Sequence, residues 1–293
     1  MRSLLFVPAD GGKKLDKAMA SGADAVIVDL EDSISAEGKA AARLSAADFL
    51  KDVASASPRP RLLVRLNGFA TGLTDADLDA VVPARPDIIL LPKADGGAAV
   101  AEADAKLTAR EAIAGLPEGA IKIVALATET AAALFLAGTY AGSSRRLIGL
   151  TWGAEDLSAD LGAEANRDAE GGFLDPYRLA RTLCLAGAAA AQVQAIDTIA
   201  ADFRNIALLR RETEDARRDG FTGKMAIHPA QVPVINEVFT PTADAVAKAR
   251  TVIAAFAANP GMGAVGIDGV MYDRPHLARA QQLLARAAAS GIG

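Results

Sequence analysis

Residues 25–33 read AVIVDLEDS, four aliphatic residues that run straight into Asp29, Glu31 and Asp32. β-Branched side chains suit a pleated, buried surface, so AVIV predicts a strand, whereas strands disfavour Asp and gain nothing from adjacent like charges. A strand that seeks the interior and finishes in three carboxylates requires something at its C-terminal end that favours negative charge.

The same kind of short apolar run recurs along the chain. SLLFV (3–7), AVIVDL (25–30), RLLVRL (61–66) and DIILL (87–91) are followed by IKIVALA (121–127), RLIGLTW (146–152), VQAID (193–197) and KMAIH (224–228). Between these eight candidate strands lie segments with helical spacing, such as AEGKAAARLSAADFLKDVA (36–54) and AVAEADAKLTAREAIAG (99–115). Strand alternating with helix is the signature of a parallel sheet. Eight such units in roughly 230 residues match a (β/α)8 TIM barrel better than an open doubly wound sheet. The expected architecture is therefore an α/β barrel over 1–235. A C-terminal helical extension over 236–293 is read as a lid, or as an arm exchanged with a neighbouring subunit. Within it GMGAVG (261–266) matches GxGxxG, but it follows a helix instead of a strand, so a flexible hinge is expected there and not a nucleotide loop.

Bulk properties narrow the function classes. The 293 residues are 51% hydrophobic and 23% charged, as in a globular protein, and 31 Lys+Arg against 36 Asp+Glu leave a formal charge of -5 that disfavours nucleic acid. Cys184 is the sole cysteine and sits in the apolar stretch RTLCLAGAAAA, which predicts a buried, inert thiol and a reducing cytoplasmic location. The apolar run of MRSLLFVPAD is too short for a signal-peptide core or a membrane span.

Barrels of this kind carry their active sites at the C-terminal ends of the strands. Those ends supply Pro8 and Asp10; Asp29, Glu31 and Asp32; Arg65 and Asn67; Lys93; Glu129; Trp152, Glu155 and Asp156; Asp197; and His228. Any single acid here could cap the helix that follows it. Capping does not explain why most ends are charged at once, and Arg65 with Lys93 compensates only part of the repulsion. A hard divalent cation, Mg2+ with Mn2+ as its substitute, supplies the rest, and it needs only one or two carboxylates besides substrate oxygens and water. Glu129 and Asp156, on adjacent strands, form the best ligand pair. Asp29, Glu31 and Asp32 are then either ligands or anchors for metal-bound water. Without a His/Cys cluster, zinc is not expected. His228 suits a loop-orienting role as well as a ligand-binding one.

Taken in order, RSLLFVPAD, SGADAVIVDLEDS, VRLNG, LPK, TET, WGAEDLSADLGA, IDT, GFTGKMAIHP and VMYDRPHLARAQ resemble the citrate lyase β-subunit-like family, which includes malyl-CoA, methylmalyl-CoA and citramalyl-CoA lyases and malyl-CoA thioesterase. The resemblance spans nearly the whole chain. It implies a Mg2+-dependent barrel that makes or breaks a carbon–carbon bond beside a thioester, with Glu129 and Asp156 as metal ligands and the acids of DLED supporting the metal's waters. It further implies that Arg65 faces the thioester, that Lys93, Gly153, Ala154 and His228 contact substrate or CoA, and that Asp273 of MYDRP reaches a neighbouring active site and handles the acetyl proton. A homo-oligomer, trimer or hexamer, follows from that last role. The chain departs from the family pattern at Gly11, Thr128, Trp152 and Leu157, so its pocket shape and acyl group can differ from those of the better-known members.

Overall fold

The computed structural model describes residues 1–292. Eight parallel strands close into a barrel in sequence order: β1 (Ser3–Pro8), β2 (Ala25–Asp29), β3 (Arg61–Arg65), β4 (Ile88–Leu91), β5 (Lys122–Leu126), β6 (Leu147–Thr151), β7 (Gln194–Asp197) and β8 (Gly223–Ala226). β8 pairs back onto β1, with Leu4 opposite Met225. Each strand falls within two residues of the run that predicts it. The helices in chain order are α1 (Lys13–Met19), α2 (Lys39–Val53), α3 (Thr74–Val81), α4 (Gly96–Ile113), α5 (Ala131–Leu134), α6 (Ala154–Asp160), α7 (Asp175–Ala191), α8 (Ile206–Asp219), α9 (Val232–Phe239), α10 (Ala243–Ala258) and α11 (Arg274–Ala289).

Strand side chains alternate between the two faces, and the inward set fills the barrel. Leu4, Ala25, Ile27, Leu63, Leu90, Val124 and Met225 form one buried cluster. The same alternation carries Asp29 onto the face of Ala25 and Ile27, and Arg65 onto the face of Leu63. The two ends are in register, Asp29 directly opposite Arg65. The polar top layer thus continues the apolar core by the period-2 rule. Cys184, on α7, is buried and free, and burial pushes its thiol far above the usual range.

The chain divides into two compact units, Met1–Asn236 and a second beginning at Glu237. In the second, Ala249, Val252 and Phe256 of α10 pack with Val265, Tyr272 and Leu277. The hinge expected at GMGAVG is a correction: Ala264–Ile267 is strand β9, paired antiparallel with β10 (Val270–Asp273). Asp268 and Gly269 turn between them with φ of 49° and 78°. Asp-Gly between two strands is a strong short hairpin signal, because both turn residues must tolerate positive φ. Among the described residues no helix is long and apolar enough to cross a membrane.

Candidate active site

The carboxylates at the end of β2 meet their cation on the next strand. Asp29 takes a two-pronged contact from Arg65, Nε to Oδ1 and Nη2 to Oδ2, each 2.7 Å. It also accepts the backbone N–H of Glu31 at 2.9 Å and of Ser33 at 3.3 Å. Those four contacts use the acceptor capacity of a carboxylate, so Asp29 is committed to holding Arg65 and its own loop. Burial alone would raise the Asp29 carboxyl, but the Arg65 guanidinium outweighs it and holds the group below the usual range. Arg65 Nη1 donates to Asp32 Oδ2 at 2.9 Å. Its guanidinium carbon stands 5.0 Å from the centre of the Phe6 ring.

Glu31 is the buried DLED acid with acceptor capacity to spare. Its Oε1 accepts from Lys93 Nζ at 2.7 Å. Its Oε2 lies 3.0 Å from Arg65 Nη1 but out of line for a hydrogen bond, and among the described residues no other donor reaches this buried oxygen. Burial raises the Glu31 carboxyl although Arg65 and Lys93 flank it.

Glu129, just past β5, is 1% exposed. Its Oε1 accepts the backbone N–H of Lys93. Burial first, and then the charge of Asp156, push its carboxyl up to about 8. Asp156, in the first turn of α6, has its Oδ1 3.1 Å from Lys93 Nζ. Between the two acids lies Gly153. A Cβ on Gly153 would sit 2.9 Å from Glu129 Oε2 and 3.8 Å from Asp156 Oδ2, so both carboxylates converge on a spot that only glycine leaves open. Its φ of -126° and ψ of 110° suit any residue, so the requirement is one of space. Gly153→Ala is therefore expected to keep the fold while displacing the Glu129 carboxylate. Were Glu129 to hold Mg2+, disturbing the orientation of its carboxylate would cost about 10–100-fold in Mg2+ affinity, which calorimetric titration alongside circular dichroism would check.

These groups border a cavity of about 460 Å³ at the strand ends, lined by Phe6, Asp29, Asp32, Arg65, Leu126, Glu129, Gly153, Ala154, Glu155, Asp156, Ile199, Met225 and Ile227, among others. A family model described as HpcH/HpaI aldolase/citrate lyase matches residues 2–229. The chain belongs to the HpcH/HpaI aldolase/citrate lyase family. A second model, a C–C bond lyase of the TIM-barrel fold, matches residues 178–292. The chain is similar to the citrate lyase subunit beta of Leuconostoc mesenteroides subsp. cremoris, at 34% identity over 99% of this chain and 94% of that one. It is also similar to a (3S)-malyl-CoA thioesterase of Cereibacter sphaeroides, at 36% identity over 98% and 95%. Among solved structures, CitE from Mycobacterium tuberculosis in complex with magnesium, acetoacetate and coenzyme A aligns with a TM-score of 0.78 and 33% identity, covering 98% of this chain and all of that one.

The residues of this family member fit a divalent cation. The chemistry of the donor set is two converging carboxylates with an unbonded Glu31 oxygen nearby, and among the described residues no group of three His, Cys, Asp or Glu encloses a metal by itself. Two converging carboxylates, oxygen donors only, suit Mg2+, which keeps several waters and takes few protein ligands.

Of the candidate site residues in the family barrel, Asp29, Asp32, Arg65, Glu129, Gly153, Ala154 and Asp156 line the cavity, and Glu31 and Lys93 touch that lining through Arg65 and Asp156 respectively. His228 does not line it. Its Nδ1 accepts from Ala230 N–H at 3.1 Å, capping the short helix that follows, and its ring stacks on Phe203 with centroids 4.7 Å apart. Asp273 lies in the second unit, where it pairs with His276 and precedes α11. Two further strand ends are structural. Asn67 bonds Asp77, and Asp197 accepts from Trp152 Nε1 at 2.7 Å while Arg181 and Lys224 balance its charge. Reading strand ends alone misses the apolar wall of Phe6, Leu126, Ile199 and Met225 and the fully buried Lys224. Alternation along β1, β5 and β8 would have found Phe6, Leu126 and Met225, and a lysine inside KMAIH was the visible signal for the last.

Proposed function

We propose that this protein is a Mg2+-dependent carbon–carbon lyase that cleaves a malyl-CoA-type thioester (malyl, methylmalyl or citramalyl) into acetyl-CoA or propionyl-CoA and a 2-oxo acid. The observation that carries the reading is the pairing, across one cavity, of a buried guanidinium anchored by two strands with the converging carboxylates of Glu129 and Asp156. Mg2+ held by Glu129 and Asp156 would polarise the hydroxyl and carboxylate oxygens of the substrate. Glu31, with its unbonded oxygen, and Asp32 would anchor the ion's waters.

Arg65 is the oxyanion group. Asp29 takes one N–H of Nη2, which leaves the other for the thioester oxygen, where negative charge develops as the bond breaks. The hydroxyl proton passes to a base, the electron pair of the broken bond moves into the thioester as an enolate, and the enolate carbon takes up a proton. Asp273, presented by a neighbouring copy in a trimer or hexamer, would supply that proton. In the bond-forming direction the same carboxylate would take the acetyl proton, a role favoured by His276, which holds Asp273 below the usual carboxylate range. Asp273→Ala is expected to leave Mg2+ affinity unchanged and lower turnover at least about 100-fold, the usual scale for a lost proton-transfer group. Solvent deuterium exchange into acetyl-CoA is the direct measurement, and full exchange by the variant would remove Asp273 from the mechanism.

Two other readings rest on specific relatives. Similarity to the Cereibacter thioesterase supports hydrolysis of the thioester at the same site, and similarity to the Leuconostoc subunit supports work within a citrate lyase complex on an acyl-carrier-protein thioester. Incubating the purified chain with malyl-CoA and Mg2+, with and without EDTA, while assaying glyoxylate and free thiol, separates them. Metal-dependent glyoxylate without thiol supports the lyase. Thiol with malate supports the thioesterase, and inactivity of the isolated chain supports the complex.

A further inference from the structure

Four non-glycine residues among those described have positive φ: Arg85, Lys93, Gln192 and Asp268. Three have ordinary reasons. Arg85 and Gln192 terminate helices, and Asp268 makes the hairpin turn. Lys93, with φ of 48°, does neither; it stands just past β4, between Pro92 and Ala94. Its conformation aims its backbone N–H at Glu129 and sends its ammonium to Glu31 at 2.7 Å and Asp156 at 3.1 Å. One residue just past β4 therefore touches three carboxylates that come from the ends of β2, β5 and β6. A strained backbone at such a point is kept because the surroundings enforce it.

The charges explain what the arrangement does. Glu31, Glu129 and Asp156 repel one another in a poorly solvated site. Arg65 reaches Glu31 but is committed to the β2 loop, and the cation that touches both Asp156 and Glu31 is Lys93. A divalent ion bound between Glu129 and Asp156 would compete for the same oxygens. The Lys93 side chain is 35% exposed, so its ammonium has solvent to move into.

We propose that Lys93 is the resident counter-ion of the carboxylate site: it keeps Glu31, Glu129 and Asp156 assembled while no divalent cation is bound, and its ammonium yields Asp156 to the ion on binding. This rests on the metal-site reading above and changes the role of Lys93 from a contact for CoA to a positioning residue. Displacing a fixed charge weakens the ion's net affinity, so the lysine trades tight metal binding for a stable empty site.

The test is Mg2+ titration by calorimetry and thermal melting of wild type, Lys93→Met and Lys93→Met/Asp156→Asn. Lys93→Met should bind Mg2+ about 10-fold or more tightly than wild type, since a competing unit charge at contact distance is removed. It should melt lower than wild type without metal, and show a larger rise in melting temperature on adding Mg2+. The added Asp156→Asn change should restore the metal-free melting temperature. Tighter metal binding is an outcome that general structural damage does not produce. Equal or weaker Mg2+ binding by Lys93→Met, beside a wild type that binds Mg2+, overturns the counter-ion and leaves the metal site standing. Failure of the metal-free melting temperature to fall also overturns it. A wild type that binds no Mg2+ overturns the metal-site reading and this inference with it.

Discussion

Glu129→Gln is expected to abolish Mg2+ binding and lower turnover by three or more orders of magnitude, while making the metal-free protein more stable near neutral pH. The two effects share one cause. Glu129 is buried beside Asp156, which pushes its carboxyl up to about 8, whereas an unfolded glutamate titrates near about 4.3. The folded, metal-free protein therefore binds this proton more tightly than the unfolded chain does. Its stability contribution is full below the unfolded value and falls as pH rises from there towards the folded one. Near pH 8 the ionised carboxylate costs on the order of 5 kcal/mol, at about 1.4 kcal/mol per tenfold change in proton affinity. Gln carries no such charge, so the melting temperature of the variant should be nearly flat between pH 5 and 8 as far as this site is concerned. Wild type without metal should lose stability over that window, and Mg2+ should restore it, binding more tightly as pH rises because the ion replaces the proton. Melting curves at several pH values with Mg2+ or EDTA would show this, and a metal-free wild type that gains stability from pH 6 to 8 would contradict the assignment of a raised Glu129.

Removing the guanidinium should have the second largest effect. Arg65→Met would leave Asp29, 3% exposed, without the cation that keeps it ionised, and would free Glu31 and Asp32 as well. Breaking a buried ion pair by deleting one partner costs about 3–5 kcal/mol. In the proposed mechanism Arg65 meets the developing negative charge, and its loss should then lower turnover about 100–1000-fold on top of that. Arg65→Lys should recover little of either, because an ammonium cannot reproduce the parallel Nε and Nη2 contacts to Asp29. Pairing Arg65→Met with Asp29→Asn separates the effects: the double variant should regain much of the stability, since the buried Asp29 charge is gone and Glu31 keeps Lys93, and stay inactive. A double variant that regains turnover would show that Arg65 serves the fold and not the thioester.

Much of this architecture is visible in local patterns. A buried strand must be a short apolar run and a helix must repeat its apolar positions every three or four residues, so RLLVRL, DIILL and IKIVALA announce themselves without knowledge of their neighbours. The acids and bases at strand ends are equally visible, because a charge that interrupts such a run is costly unless the fold brings it a partner. AVIVDLEDS thus announced both its strand and its need for positive charge, and TET and WGAED announced the two carboxylates that converge on Gly153.

Which partner each charge receives was decided only by the tertiary structure. Asp29 meets Arg65 because β2 and β3 pair in the register that sets them opposite, and the sequence places them 36 residues apart without stating that register. Asp197 resembles Asp29 as an acid ending a strand, yet it faces Trp152, Arg181 and Lys224 away from the cavity. Lys93 acquires its role from a backbone angle that no composition rule favours, enforced by three carboxylates arriving from other strands. Local propensity determined the strands, the helices and the list of charges of this protein. Closure of the barrel determined their pairing, because electrostatic partnership depends on distances that exist only once distant segments are packed together.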